Sequence, residues 1–380
     1  MASDLTGSYA YSDSLKGIHF GPGSTATALP KLLDALGAKK ALIVTGRSLF
    51  TKTDVVKTVE GILKAHDAYG ATFYEIGEHA PVAGIRRGVQ AFKDAGADVI
   101  VSVGGGSPVD AAKAILHFVQ QESGAPAPFK QIAIPTTLSA AEYTMGAGFT
   151  DDSGNKVAVA SPSLVPAGII LDAQLTLATP ERLWLSTGLR ALDHAVESLY
   201  RPGVPPPLKH LCYAALADLF TYLPLSKAHP EDVSTRQKLQ IASWMSIWPM
   251  QLEKFVAFGL SHGLGHRLGA RYGIPHGITS CLTLAPVVAA KVELGSPQDK
   301  EWLANALFYL RKPSTGSVDG DVLELSKSIQ QLVNDLGLHS TLSQYNVPKE
   351  DVQQIAELAV GKKEDPAFVK TVAILEALYE

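Results

Sequence analysis

Short apolar runs alternate with amphipathic stretches between Lys40 and Pro135. Four of the runs have the length and composition of strands, and three intervening stretches have helical spacing. The predicted strands are Ala41–Thr45, Ala71–Glu75, Val99–Val103 and Gln131–Pro135, and the predicted helices are Asp54–Ala68, Gly84–Ala95 and Val109–Gln120. The third strand is an almost unbroken apolar run, which is typical of a parallel sheet covered on both faces. The pattern therefore predicts βαβ units with right-handed crossovers, which bind ligands at the carboxyl ends of the strands.

The pattern changes after about residue 180, where strand-like runs nearly vanish and amphipathic helices follow one another. The predicted helices are Thr187–Tyr200, Leu208–Tyr222, Ser234–Glu253, Phe258–Ala270, Thr283–Leu294, Asp299–Leu310, Asp321–Leu336 and Lys349–Ala359. A chain of 380 residues is also too long for one ordinary core. We therefore predict an α/β domain with a parallel sheet over residues 1–172 and an all-helical domain over residues 173–380, with the boundary within Pro166–Pro180.

Composition narrows the class of partner. The chain is 46% hydrophobic and 18% charged, with a net charge of -4, and its basic residues form no recurring stripe. This excludes a nucleic-acid footprint and favours a small-molecule substrate. No window approaches 18 uninterrupted apolar residues, so no membrane span is expected. Two cysteines, Cys212 and Cys281, are too few for a disulfide framework, and a reducing cytoplasm is the expected compartment.

Three consecutive glycines, Gly104, Gly105 and Gly106, directly follow the buried third strand and open a predicted helix with Ser107 as its cap. Glycines let the backbone approach an anion, and a helix N-terminus presents N–H groups and a partial positive charge to it. A tight strand-to-helix connection is the alternative, since the motif is not the G-x-G-x-x-G fingerprint. Thr136 and Thr137 follow the next strand, where their hydroxyls either bind phosphate or ribose or cap an ordinary turn.

Four histidines supply the candidate chemistry of the second half. His262 and His266 are four residues apart, so on a helix they share one face, and a Gly-Ile-Pro break returns the chain to His276. His194 lies in a separate helical stretch. Such a cluster suits either metal binding or proton transfer. Individually, these histidines also fit as hydrogen-bonded polar residues between packed helices.

These motifs together resemble the iron-containing alcohol dehydrogenase superfamily, and more closely its maleylacetate reductase branch. The matching segments occur in the family order from about Phe20 to Ala290. They are Phe20–Gly23, His79–Pro81, Gly104–Asp110, Pro135–Thr137, His194–Tyr200 and His262–His276. The resemblance implies the dehydroquinate synthase-like architecture: an N-terminal α/β nucleotide domain, an all-helical C-terminal domain and an active site in the cleft between them. It also implies a homodimer and hydride transfer between NAD or NADP and a carbonyl or alcohol.

The resemblance also assigns roles to individual residues. It matches the metal-binding histidines with His194, His262 and His276, and the histidine that relays a proton with His266. It matches the pyrophosphate loop with Gly104, Gly105, Gly106 and Ser107, and the second phosphate and ribose contact with Thr136 and Thr137.

One position departs from the metal-binding members of this family. Their metal-binding aspartate lies four residues before the first histidine, where this chain has Arg190. A guanidinium donates without accepting and repels a cation, so a bound zinc or iron is disfavoured. If a metal were retained, His194, His262 and His276 would hold it. Arg190 is expected either to clamp an anionic substrate group or to form an internal salt bridge with Glu197 or Glu142.

A second departure concerns the cofactor. NAD-preferring members have an acidic residue after the first strand, and this chain has Gly46 and Arg47 there. Without that carboxylate a 2′-phosphate is not repelled, and Arg47 is placed to bind it, which favours NADP over NAD. An ordinary exposed arginine is the alternative.

Two functions from different classes remain open. The first is an NAD(P)H-dependent reductase that acts on a carbonyl or enoyl group of a substrate with an acidic function, with His266 as proton donor and Arg190 as charge stabiliser. The second is a redox-silent dehydratase, aldolase, isomerase or cyclase on the same scaffold, which would use the His/Arg cluster for acid-base catalysis.

Overall fold

The computed structural model describes residues 7–9, 14–76, 82–124, 128–151, 156–248 and 256–380. The chain divides into two compact units: unit 1, Met1–Thr179 with Glu231–Gln240, and unit 2, Pro180–Pro230 with Ile241–Glu380. The main division follows Thr179, whereas the predicted domains divide between residues 172 and 173. The return of Glu231–Gln240 to unit 1 has no counterpart in the sequence pattern. In this segment the Arg236 guanidinium donates from Nη1 to Thr176 O at 2.7 Å.

Unit 1 is built on a largely parallel sheet. Its strands are β1 (Gly7–Tyr9), β2 (Gly17–Phe20), β3 (Ala41–Gly46), β4 (Tyr69–Ile76), β5 (Val99–Gly104), β6 (Lys130–Pro135), β7 (Gly146–Thr150), β8 (Lys156–Ala160) and β9 (Gly168–Leu171). Seven form one sheet of order β1-β2-β9-β6-β5-β3-β4, in which only the β1–β2 pair is antiparallel, while β7 and β8 form a separate hairpin. The four predicted strands are confirmed as β3 to β6.

Helices cover both faces of this sheet. They are α1 (Thr25–Leu36), α2 (Arg47–Lys52), α3 (Val55–Ala65), α4 (Val82–Asp94), α5 (Gly106–Ser123) and α6 (Ala173–Thr176). One buried apolar cluster joins α4 and α5 to one face, and a second joins α1 and α3 to the other. Because both faces are covered, the central strands are apolar at nearly every position, as β5 illustrates.

The order of the strands fixes where a ligand is expected in unit 1. The chain passes from β3 outward to β4, then returns to β5 on the opposite side of β3. The carboxyl ends of β3 and β5 are therefore a topological switch point, where a crevice opens because successive crossovers run to opposite sides. In register, Thr45 lies beside Val103, and Gly104 lies beside Pro135 at the end of β6. The segments that follow Thr45, Gly104 and Pro135 thus emerge together at one edge of the sheet.

Unit 2 is helical throughout its described residues, as predicted. The remaining helices of the chain are α7 (Glu181–Tyr200), α8 (Pro206–Ala228), α9 (Val233–Ile247), α10 (Leu260–Tyr272), α11 (His276–Leu294), α12 (Pro297–Ala304), α13 (Ala306–Tyr309), α14 (Val318–Asp335), α15 (Val352–Val360) and α16 (Ala367–Ala377). The predicted continuation of α9 to Glu253, and the His79–Pro81 motif, lie outside the described residues.

The helix α11 is the central helix of unit 2. It packs against α7, α10 and α14. By length and composition α11 is apolar enough to cross a bilayer, but 67% of its most apolar window is buried inside the protein. This burial explains the apolar sequence of α11 by packing within the unit.

Candidate active site

The glycine loop, residues 104–107, joins β5 to α5. Gly104 has φ of 139°, a conformation that requires glycine, and a Cβ added there would lie 3.0 Å from Pro108. Helix α5 begins at Gly106 with Gly105 as its N-cap and without a side-chain cap. The expectation that Ser107 caps the helix is therefore wrong, because the helix starts one residue earlier and Ser107 lies in its first turn. The N–H groups of the first turn, at the N-terminus of this 18-residue helix, can therefore donate to an anion.

The second loop, residues 136–140, packs directly on the glycine loop. The Thr136 N–H donates to Gly104 O at 2.9 Å. A Cβ added to Gly105 would lie 3.1 Å from Thr137 Cγ2, and one added to Gly106 would lie 3.2 Å from Ser139 Oγ. The structure thus brings together the two loops that the sequence singled out, and it leaves space between them that only glycine preserves.

Gly46 and Arg47 lie at the neighbouring strand end. Gly46 is the last residue of β3, and Arg47 is exposed. A Cβ at Gly104 would be 3.8 Å from Leu49, so this segment borders the glycine loop. Within the described ranges, no side-chain hydrogen bond or ion pair of the Arg47 guanidinium is found.

One face of α7 carries the charged centre of unit 2. Arg190, Asp193, His194 and Glu197 follow one another at helical spacing, and all four are buried. Arg190 donates from Nη1 to Ser280 Oγ at 3.2 Å and to Asp193 Oδ2 at 3.5 Å. Its salt bridge is thus with Asp193, and the alternative partners Glu197 and Glu142 were wrong. Burial lowers the pKa of Arg190, against the opposing effect of the two carboxylates, but a guanidinium remains charged.

The two carboxylates on α7 hold His262 from α10. His262 Nδ1 donates to Glu197 Oε2 at 2.8 Å and lies 3.3 Å from Asp193 Oδ1. Because a carboxylate only accepts, this contact places a ring proton on Nδ1, and Nε2 has no hydrogen-bond partner among the described residues.

Hydroxyl and backbone N–H donors fix both carboxylates. Glu197 accepts from the Tyr200 hydroxyl at 2.7 Å and from the Ser261 N–H at 2.9 Å. Asp193 accepts from Ser280 Oγ at 2.6 Å and from Ser261 Oγ at 3.0 Å. Although burial opposes its ionisation, His262, Arg190 and Ser280 lower the pKa of Asp193, so it remains a carboxylate.

His194 forms a buried pair with His262, the two ring centroids lying 4.9 Å apart. Burial, followed by the proximity of His262 and Arg190, lowers the pKa of His194 well below its ordinary value. This imidazole is therefore neutral at neutral pH.

His266 and His276 form a second pair beside this buried centre. Their ring centroids lie 5.3 Å apart, and both residues are exposed. His276 is also near enough to His194 to lower its pKa. All five predicted residues of unit 2 therefore lie where α7, α10 and the start of α11 meet. Two of the histidines are enclosed, and two are open to solvent.

Asp193 and Glu197 both contact His262, which was not predicted from the sequence. Their four-residue spacing on the same helix as Arg190 was the available signal. Two glycines were a second signal. A Cβ at Gly259 would lie 2.6 Å from Glu197 Oε1, and one at Gly265 would lie 3.6 Å from Arg190 Nη1. These glycines let the charged face of α7 approach α10.

Comparison with known proteins agrees with this arrangement. The family model for iron-containing alcohol dehydrogenases matches residues 16–173, and the C-terminal model of the same family matches residues 184–377. This chain belongs to the iron-containing alcohol dehydrogenase family. Within the family it falls in the maleylacetate reductase branch, and it is an oxidoreductase of the iron-containing alcohol dehydrogenase type.

Three relatives show the extent of the likeness. The chain is 28% identical over 344 residues to maleylacetate reductase 1 of Cupriavidus pinatubonensis, covering 90% of this chain and 87% of that protein. It is 32% identical over 290 residues to maleylacetate reductase 2 of the same organism, covering 76% and 75%. The crystal structure of maleylacetate reductase from a Rhizobium species superposes with a TM-score of 0.78 at 27% identity, covering 98% of this chain and 97% of that one.

The metal implied by this family does not fit the residues present. Among the described residues, the three potential ligands whose atoms lie within 4.8 Å of one another are Asp193, Glu197 and His262, not the three matching histidines. His262 Nδ1 already lies 2.8 Å from Glu197 Oε2 and 3.3 Å from Asp193 Oδ1, and the Arg190 guanidinium pairs with Asp193. A cation here would have to displace a buried positive charge.

The nicotinamide cofactor implied by this family does fit unit 1. Gly104, Gly105, Gly106 and Ser107 would hold its pyrophosphate at the N-terminus of α5, and Thr136 and Thr137 would border it. A Cβ added to Gly105 or Gly106 would fill the narrow space between the two loops.

Proposed function

We propose that this protein is an NAD(P)H-dependent reductase acting on a carbonyl or enoyl group of a substrate that carries an acidic group, and that it works without a metal. The observation that carries the proposal is the buried Arg190, which occupies the position of the family's metal-binding aspartate. A fixed guanidinium at that position supplies the positive charge that would polarise the substrate.

The hydrogen bonds of Arg190 to the described residues use only one of its three guanidinium nitrogens. Among the described residues its bonds come from Nη1 alone, so Nε and Nη2 remain for a carboxylate or a developing enolate. Asp193 and Ser280 fix the guanidinium of Arg190 through Nη1, while its Nε and Nη2 edge makes none of these hydrogen bonds. A planar guanidinium binds such oxygens in a bidentate way that a lysine cannot reproduce.

The histidines divide into two proposed roles. His266, exposed beside His276, is the proton donor, and the buried His194 and His262 line the substrate-binding side of Arg190. The reduced nicotinamide, when bound, supplies the hydride. His266 would donate one proton to the substrate, and this proton together with the hydride completes the two-electron reduction.

The proposed cofactor preference rests on Arg47. It follows the end of β3 beside the glycine loop, and no acidic residue takes the position that would hold an adenosine ribose. The guanidinium would bind the 2′-phosphate of NADPH. We accordingly expect NADPH to bind more tightly than NADH, and Arg47→Ala to weaken NADPH binding alone.

Fluorescence titration of the purified protein with NADPH and NADH tests the cofactor assignment, and cofactor oxidation with maleylacetate and neutral carbonyl compounds tests the substrate class. We expect sub-millimolar cofactor binding and turnover of the acidic substrate only. Absence of cofactor binding would contradict the reductase assignment and favour a redox-silent enzyme. Metal analysis of the same sample should find no stoichiometric zinc or iron, and a tightly held equivalent of either would contradict the role given to Arg190.

A further inference from the structure

Lys113 is completely buried on α5, about two helical turns after the helix begins at Gly106. Its ammonium group donates to Ala141 O at 2.7 Å, to Thr144 Oγ1 at 2.9 Å and to Gly146 O at 3.0 Å, and Asp110 Oδ1 lies 3.4 Å away. The first three acceptors belong to the segment directly after the second loop. Lysine is almost never fully buried unless paired, so these bonds account for its presence there.

The second loop needs such an attachment to keep its shape. Ala140 has φ of 61°, a left-handed conformation that is sterically unfavourable for a residue with a Cβ. The preceding residues press on the glycine loop, with Ser139 Oγ only 3.2 Å from the position of a Cβ at Gly106. The chain beyond Ala140 must therefore be held in place, and Lys113 holds it to the same helix whose N-terminus carries the glycine loop.

We propose that Lys113 is a positioning residue for the cofactor: it fixes the second loop at the spacing from the glycine loop that the pyrophosphate requires. This inference rests on the proposed binding of NAD(P)H by the two loops. Lys113 does not touch the cofactor itself. It acts through the backbone of Ala141 and Gly146 and the hydroxyl of Thr144, so its loss should weaken binding more than it slows the chemical step.

The test is the dissociation constant of the full-length protein for NADPH and for ADP, which carries the pyrophosphate without the nicotinamide. We expect Lys113→Met to raise both constants by about tenfold or more, with kcat at saturating NADPH changed by less than about threefold. The matched control is Lys209→Met, which removes the mostly buried lysine that lies over the Trp302 ring in unit 2, and should leave both constants unchanged.

A second variant decides the matter if Lys113→Met does not fold. Thr144→Val removes one acceptor and should weaken NADPH and ADP binding by about threefold, whereas Thr144→Ser keeps the hydroxyl and should restore the wild-type constants. A dissociation constant reports on folded molecules. If Lys113 were purely structural, its replacement would therefore lower the melting temperature and leave the dissociation constants unchanged. Wild-type protein that binds no cofactor refutes the proposed function. Wild-type protein that binds, with variants that bind equally well, refutes the role of Lys113 alone.

Discussion

At the scale of single residues, the exposed imidazole of His266 is the group to which the proposed function assigns proton transfer. His266→Asn keeps a polar side chain of similar size but removes the transferable proton. We expect kcat to fall by about a hundredfold or more, with the dissociation constant for NADPH unchanged.

The control for this variant is His210→Asn, which alters a histidine in the aromatic group around Tyr213 and Trp302. Its turnover should match that of the wild type. Undiminished turnover of His266→Asn would show that the imidazole of His266 is not the proton donor. His262 would then be the next candidate, since its Nε2 is buried and its Nδ1 contacts Glu197.

Residue-level chemistry was only partly predictable from the sequence. The positions of Arg190 and the four histidines followed from their spacing, because helical periodicity states which residues share a face. Their partners did not, because Ser261 and Ser280 reach Asp193 only through tertiary packing. Helical periodicity places Asp193 beside His194 but gives no information about the neighbouring helix that it contacts.

At the scale of elements, the glycine loop offers a clean steric test. Gly105 has φ of -82°, so alanine can adopt its backbone conformation. The atoms nearest the added Cβ belong to Thr137 in the second loop, with Cγ2 at 3.1 Å and Oγ1 at 3.3 Å. We expect Gly105→Ala to push the two loops apart and to raise the dissociation constant for NADPH by about tenfold. The measurement is the same fluorescence titration.

Gly61→Ala is the matched control for that variant. Gly61 lies within α3, and among the described residues no atom outside its chain neighbours and its own helix backbone lies within 4 Å of an added Cβ. Alanine there should stabilise the protein by about 0.5–1 kcal/mol and leave cofactor affinity unchanged. If Gly105→Ala bound NADPH as tightly as Gly61→Ala does, the space between the loops would not be the pyrophosphate site.

Elements with strong periodicity were predicted well, and short ones were not. The strands β3, β5 and β6 are long apolar runs, whereas β2 and β9 have four residues each and carry no distinguishing pattern. Their place in the sheet comes from pairing with each other and with β6. The start of α5 was misplaced because proline and serine at its first turn suggested a cap that Gly105 provides through its backbone.

At the scale of the whole molecule, one buried carboxyl makes stability depend on pH. Burial raises the pKa of Glu142 from 4.5 to about 7, in spite of the nearby Lys113, while Asp110 adds to the rise. A carboxyl with a raised pKa stabilises the fold in its protonated form, so its contribution is complete below pH 4.5 and is lost as the pH rises through 7. The loss amounts to about 3 kcal/mol.

Urea unfolding of the wild type and of Glu142→Gln at several pH values between 5 and 8 measures this contribution. The amide cannot ionise, so the variant should gain stability relative to the wild type as the pH rises, and other titrating groups cancel in the difference. Stability curves that stayed parallel across this range would show that the pKa of Glu142 is not raised in the folded protein.

The division into two units was predictable from the change in periodicity near residue 180, because strands and helices leave different patterns. The return of Glu231–Gln240 to unit 1 was not, since a helix that begins in one unit and continues into the other has an uninterrupted period. Only contacts such as that of Arg236 with Thr176 reveal it.

The guanidinium of Arg190 affects how the activity of such an enzyme would depend on the metal supply of the cell. A positive charge carried by the polypeptide cannot be stripped by a chelator, exchanged for a competing ion or oxidised by peroxide, as a bound ferrous ion can. Under the proposed function this charge is in place as soon as the chain folds, so the activity would not follow the supply of iron. If the proposed role of Arg190 holds, starvation for transition metals would leave this activity intact.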